Sequence, residues 1–319
     1  MPTVQPRALE ALIEQFEAGH QPGDPEISLL SDLSRADAAI VRAAWPRLPL
    51  ASREHLLERA AELFEGSVEL DFVELGRIAL DDIEPSVRLR AIDAVAESTH
   101  RAVAEKLREL AAGDAAGEVR TLASAALASF VVMHELGRLD RQLGEALVAT
   151  LRAAAEDREA EPELRAAAIE SLGPLSAGWM PGIIAAAYES DEPVIRLATL
   201  RAMGQSTDER WVDYVSEQFS SDDPEFRFEA AVAAGSIGSE EAAEHLGTLL
   251  ADDSPEVVLA TIEALGAIGG QEAVDLLRAF ADEAPAGLEE AVKLALENTV
   301  ENGTGRLDTD KEADEDYEE

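Results

Sequence analysis

Pro162, Pro193, Pro224 and Pro255 stand 31 residues apart, and Pro285 follows 30 residues later. Gly173, Gly204, Gly235 and Gly266 keep the same step, each 11 residues behind its proline. Two marks in fixed phase describe one supersecondary unit copied along the chain, and a unit this short cannot bury its apolar face alone. The copies must stack, and function falls to the surface of the stack.

Residues 191–204 show what the unit contains. Asp191 offers an N-cap acceptor and Pro193 sits in the first turn, where a missing N–H costs nothing. Ile195, Thr199, Ala202 and Met203 recur at helical steps, and Gly204 is expected to close the helix with a residue that tolerates positive φ. Before it, Ile183, Ile184 and Ala187 mark another helical face. The two joined by the Ser190–Glu192 turn make a helical hairpin.

The composition agrees with close helix packing, because 46% of the 319 residues are hydrophobic but only 4% are aromatic. Cysteine is absent, which excludes disulfides, thiolate metal sites and a cysteine nucleophile, and a cytoplasmic setting is expected. The formal charge is −40. Nucleic acid and anionic membranes are held mainly through Lys and Arg, so neither partner is expected. The excess acid reads as a solvated surface or as a match for a cationic partner.

From the N-terminus, residues 1–6 are expected to be disordered and 7–70 to form a helical cap outside the repeat phase. Leu9, Leu12, Ile13 and Phe16 lie on one face of a helix ended by Gly19. Ser34 with Asp37 forms a capping box, Pro46 stops the next helix, and Trp45 reads as an anchor within the cap. Leu50–Glu65 is a further helix with Leu56, Leu57 and Leu63 inward. The repeats run over 71–300, with copies near Asp71, Leu143, Trp179, Glu209, Ser239 and Gln271 and a degenerate one in which Gly117 replaces the proline. An insertion around Phe130–Gln142 reads as a longer helix packed on its neighbour. Residues 301–319 are expected to be a disordered acidic tail; its Asp308–Glu319 spacing is that of a calcium loop, but Ala313 stands where the loop needs glycine.

The pattern of Asp157, Pro162, Leu164-Arg165, Ala168 and Leu172-Gly173 resembles the short HEAT repeats named after phycobilisome lyases, over roughly 71–299. The chain as a whole resembles bacterial HEAT-repeat domain proteins. The resemblance implies an all-α, HEAT-like α-solenoid of about seven helical pairs, wound as a right-handed superhelix behind the N-terminal cap. It also implies an Asp–Arg ladder, with Arg88, Arg120, Arg165, Arg196 and Arg227 in equivalent places and Asp82, Asp191, Asp223 and Asp253 at the turns. Val258 breaks the arginine row.

Among enzymes with such repeats, deoxyhypusine hydroxylase holds two irons through several His-Glu pairs, and here only His134-Glu135 has that order. Nothing matches a bilin lyase pigment site. No catalytic, metal or cofactor residue is assigned. The expected function is a non-catalytic scaffold that binds a protein or peptide, a basic one included, on the concave side lined by second helices. Arg90, Asp93, Glu170, Arg201, Glu229 and Glu263 are the candidate contacts, whereas Trp211 and Phe228 read as core. The alternatives are a HEAT-type metalloenzyme or lyase and a structural subunit of an assembly of unknown stoichiometry.

Overall fold

The computed structural model describes residues 6–66, 70–282, 285 and 287–299. The acidic tail and its calcium-like spacing lie outside these residues, as do 1–5. Pro6, assigned above to a disordered end, opens the first helix, Pro6–Glu17. Two compact units divide the chain, Met1–Ser171 and Leu172–Glu319. Among the described residues every regular element is helical.

The first unit begins with the cap. Leu9, Leu12, Ile13 and Phe16 are buried, and Gly19 leaves the helix at φ 79°. Ser34 accepts the Asp37 N–H at 3.2 Å and donates to its carboxylate at 2.7 Å, which starts the helix Arg35–Ala44. The helix Leu50–Gly66 then buries Leu56 and Leu57, while Leu63 is only half-buried. Three helical pairs follow: Val73–Ala79 with Pro85–Ala94, Arg101–Gly113 with Gly117–Ala126, and Arg141–Glu156 with Pro162–Leu172. The insertion is a separate helix, Ala128–Glu135, which buries Phe130 and Val131 and packs on Arg141–Glu156. There the His134 ring covers Gly144, whose missing Cβ would lie 2.1 Å from His134 Nδ1.

The second unit holds four pairs. Met180–Tyr188 precedes Pro193–Ser206, Val212–Glu217 precedes Pro224–Ile237, Glu241–Leu246 precedes Pro255–Ile268, and Gly270–Ala281 precedes a helix over 289–299. Proline opens three of these second helices, at Pro193, Pro224 and Pro255, at a position whose N–H has no intrahelical acceptor. Trp211 and Phe226 are core; Phe228 is half-buried. Thr199 and Thr261 are fully buried, each hydroxyl donating to the carbonyl four residues back at 2.7 Å, so neither leaves a polar group unmet.

Two local expectations need correcting. The cap of the Pro193 helix is Glu192, without a side-chain bond, and Ser190 Oγ rather than Asp191 takes the Glu192 N–H at 3.2 Å. Gly204 does not close that helix, which runs on to Ser206 and ends at Thr207, in the left-handed region at φ 50°. The repeat glycine has another task. A Cβ on Gly204 would lie 2.9 Å from Ala233 Cα; on Gly235 and Gly266 it would lie 2.8 Å from the Cα of Ala264 and Ala295. Each glycine lets the next second helix press against bare backbone. Helix propensity argues against glycine there, so packing overrides it.

Gly235→Ala should therefore force two helices apart and cost about 1–3 kcal/mol. Gly182→Ala, in a helix where a Cβ meets nothing within 4 Å, should instead be neutral or stabilise by up to about 1 kcal/mol. Thermal melts followed by circular dichroism distinguish the two, and equal effects would remove the packing role from Gly235.

Candidate binding face

The expected ladder exists with a different register. Arg88 Nε and Nη2 hold the carboxylate of Asp114 at 2.7 Å each, while Nη1 donates to the backbone carbonyl of Asp82 at 2.7 Å. Arg227 repeats this geometry, with Asp252 at 2.6 and 2.9 Å and the carbonyl of Ser221 at 2.7 Å. Each arginine thus pins its own turn and reaches the acid of the following turn. The acid side chain then takes the N–H two residues on, in Asp114 and in Asp252 at 2.9 Å.

Asp82 serves Arg88 through its backbone carbonyl and not through its side chain. Its carboxylate takes the Trp45 indole N–H at 2.6 Å and the Arg53 guanidinium, so the cap continues the ladder with residues outside the repeat phase. Asp253 yields to its neighbour Asp252, and Asp223 caps its own helix through the Glu225 N–H at 3.0 Å. Asp191 forms no rung in the register that the other turns keep. Beyond Arg120 the turn is two residues longer, and Glu161, with its longer side chain, takes Arg120 at 2.8 and 2.9 Å. Arg165 and Arg196 each keep a buried Nε without an acceptor. Arg196 stacks over the Phe226 ring at 4.9 Å instead. Val258, where the row ends, is buried.

The ladder side of each second helix is committed, and the opposite strip faces solvent. In the second unit this strip carries Val194 and Arg201, then Glu225, Phe228 and Val232, then Glu256, Leu259 and Glu263, then Glu290 and Leu294, at matching heights on neighbouring helices. Val194 (36%), Val232 (42%), Leu259 (38%) and Leu294 (57%) are exposed well beyond what core packing leaves. Of the six candidate contacts, Arg90, Asp93 and Glu263 are exposed, and Glu170 and Arg201 are half-buried. Glu229 is buried and holds Arg201 at 2.6 and 2.8 Å, so these two form a bridge between neighbouring helices. The apolar members of the strip escape a search for charged contacts, because scattered Val and Leu in an Ala-rich helix read as core.

Asp93 lies in a groove of about 540 Å³ in the first unit, with Phe64, Phe72, Glu97 and His100. Partial desolvation by the groove walls raises its carboxyl above its ordinary value, against the pull of Arg90, although the residue as a whole is exposed. Among the described residues no group of three or more His, Asp or Glu side chains could hold a metal ion, and no helix is long and apolar enough to cross a membrane.

Comparison with known proteins follows the same lines. Residues 180–261 match the model of HEAT repeats and 257–283 that of the PBS lyase HEAT-like repeat, so repeats of this type run over 180–283. No curated protein matches the sequence. Among solved structures, Kap121p bound to Pho4p is similar at 13% identity and a TM-score of 0.50, over 94% of this chain and 40% of that one. YibA of Escherichia coli is similar at 15% identity and 0.49, over 94% and 98%. Human deoxyhypusine hydroxylase in complex with glycerol gives 17% and 0.36, over 93% and 100%. At 13% identity the likeness to Kap121p is one of fold alone, an α-solenoid.

Arg227 holds the Asp252 carboxyl below the usual carboxylate range, although burial pushes the other way. A carboxylate with a depressed folded pKa contributes stability above its unfolded pKa, near 4, and loses it as pH falls through the lower folded value. Asp252→Asn should cost about 1.5–3 kcal/mol at neutral pH and lessen the fall in stability below about pH 4. Urea melts between pH 7 and 3 check this, and an unchanged acid slope would show that the rung contributes nothing.

Proposed function

We propose that the chain is a non-catalytic HEAT-repeat scaffold that binds a protein partner on the exposed strip of its second helices. The observation that carries this is the run Val194, Val232, Leu259 and Leu294, apolar side chains exposed on the second helices of four successive pairs whose other faces are packed. Such side chains rimmed by polar residues mark a surface that another molecule covers. Glu225, Glu256, Glu263 and Glu290 supply the rim here, and a segment with apolar anchors between Lys or Arg residues fits it. Kap121p, solved with Pho4p bound, illustrates a similar fold engaging a protein. The formal charge of −40 disfavours nucleic acid and anionic membranes. A cytoplasmic setting suits a fold that uses no disulfide.

Cross-linking of the tagged chain in its own cells, followed by mass spectrometry, should identify one protein in stoichiometric yield. Val232→Asp with Leu259→Asp should reduce that yield at least tenfold while leaving the melting temperature within a few degrees. Recovery unaffected by both substitutions would move the binding surface elsewhere, and light scattering showing only a self-associated oligomer would favour a structural subunit.

A further inference from the structure

The gap in the ladder has a chemical shape. Asp82, Asp114 and Asp252 each perform two tasks with one carboxylate. They accept the N–H two residues on, from Glu84, Ala116 and Ser254 at 2.9 Å, and they accept the guanidinium of an arginine on the preceding layer, from Arg53, Arg88 and Arg227. Ser221 stands in the same place, three residues before Pro224, as Asp252 stands before Pro255. Its hydroxyl oxygen keeps the first task, accepting the Asp223 N–H at 3.3 Å. It has no charge for the second.

The arginine that would reach it is Arg196, 25 residues earlier, as Arg227 is 25 before Asp252. Its Nε is shielded from water without an acceptor, and its guanidinium rests on Phe226. A buried donor left unmet costs more than a surface one, so the site is poised to gain from an added anion. Ser190 repeats the substitution one helical pair earlier, taking the Glu192 N–H at 3.2 Å. Ser221 is half-exposed, on the turn before the Pro224 helix.

We propose that Ser221 is a phosphorylation site at which the added phosphate completes the ladder rung to Arg196. The donor is a nucleoside triphosphate presented by a serine-directed protein kinase. Ser221 Oγ attacks the terminal phosphorus, the new O–P bond forms as the bond to the bridging oxygen breaks, the nucleoside diphosphate leaves, and the hydroxyl proton passes to the kinase's base. The product carries a charge of about −1.5 to −2 and three acceptor oxygens. By the 25-residue register Arg196 stands on the preceding layer, and Arg227, on the helix that follows, brings its Nη1 to within 2.7 Å of the Ser221 carbonyl. Asp222 and Asp223 oppose it, and Asp223 is engaged by its own helix. A phosphate reaches farther from the backbone than an aspartate carboxylate, which favours closure of the rung. The inference is independent of the partner proposed above.

Phosphoserine installed at position 221 of the full chain should raise the melting temperature by about 2–4 °C, and in an Arg196→Gln background the modified and unmodified chains should melt together. Incubation of the purified chain with extract of its own cells and γ-labelled nucleoside triphosphate should label Ser221, with the label lost in Ser221→Ala. Label without an Arg196-dependent gain would overturn the rung, and absence of label at Ser221 would overturn the modification.

Discussion

Bare backbone at Gly204, Gly235 and Gly266 is the constraint on which the second unit depends. With a Cβ at any of them, the alanine of the next helix could not approach to the distance seen, and each second helix would stand away from its neighbour. The glycine–alanine contact also sets height, since Gly204 meets Ala233 and Gly235 meets Ala264, a constant offset of 29 residues. Helices locked at one height present their outer residues as rows. The strip that carries Val232, Leu259 and Leu294 is a consequence of this locking as much as of the side chains themselves.

The ladder performs the matching task at the turns. A guanidinium that holds two carbonyl groups of its own turn and the carboxylate of the next layer fixes both the angle of a hairpin and its neighbour. Partial burial makes these bonds stronger than surface pairs, and the bidentate geometry adds direction. At the N-terminal end Arg53 and Trp45 join the row through Asp82, so a cap of unrelated sequence ends in the same electrostatic contact as a repeat. Where the turn lengthens before Pro162, a glutamate spans the wider gap to Arg120. At Ser221 nothing does, and that vacancy lies at a half-exposed hydroxyl.

Much of the fold was legible in the residues. Proline and glycine in constant phase gave the unit, the 3–4 spacing of Leu9, Leu12, Ile13 and Phe16 gave the first cap helix, and Ser34 with Asp37 gave the next start. The role of the glycine was not, because a helix-ending and a close-packed glycine share one spacing, and only the next helix tells them apart. The ladder arginines were legible from their place after the proline. Their partners were not, since each turn offers several acids and the choice between Asp252 and Asp253 depends on which side chain folds back to an N–H. Arg201 and Glu229, eight and five residues after their prolines, looked like free surface charges; their pairing needs the offset between helices, which no single repeat contains.

The absence of cysteine in the natural sequence allows the locking to be measured directly. In a chain bearing Gly204→Cys and Ala233→Cys the two Cβ atoms start about 3.2 Å apart, so the few tenths of an ångström by which the new Cβ pushes the helices apart bring them into the range a disulfide prefers, about 3.5–4.5 Å, and mild oxidation should close it rapidly. A second chain pairing Gly204→Cys with Ile237→Cys, about one turn further along, should react far more slowly. Equal rates for the two, or faster closure of the second, would contradict a stack held at one height by glycine against alanine.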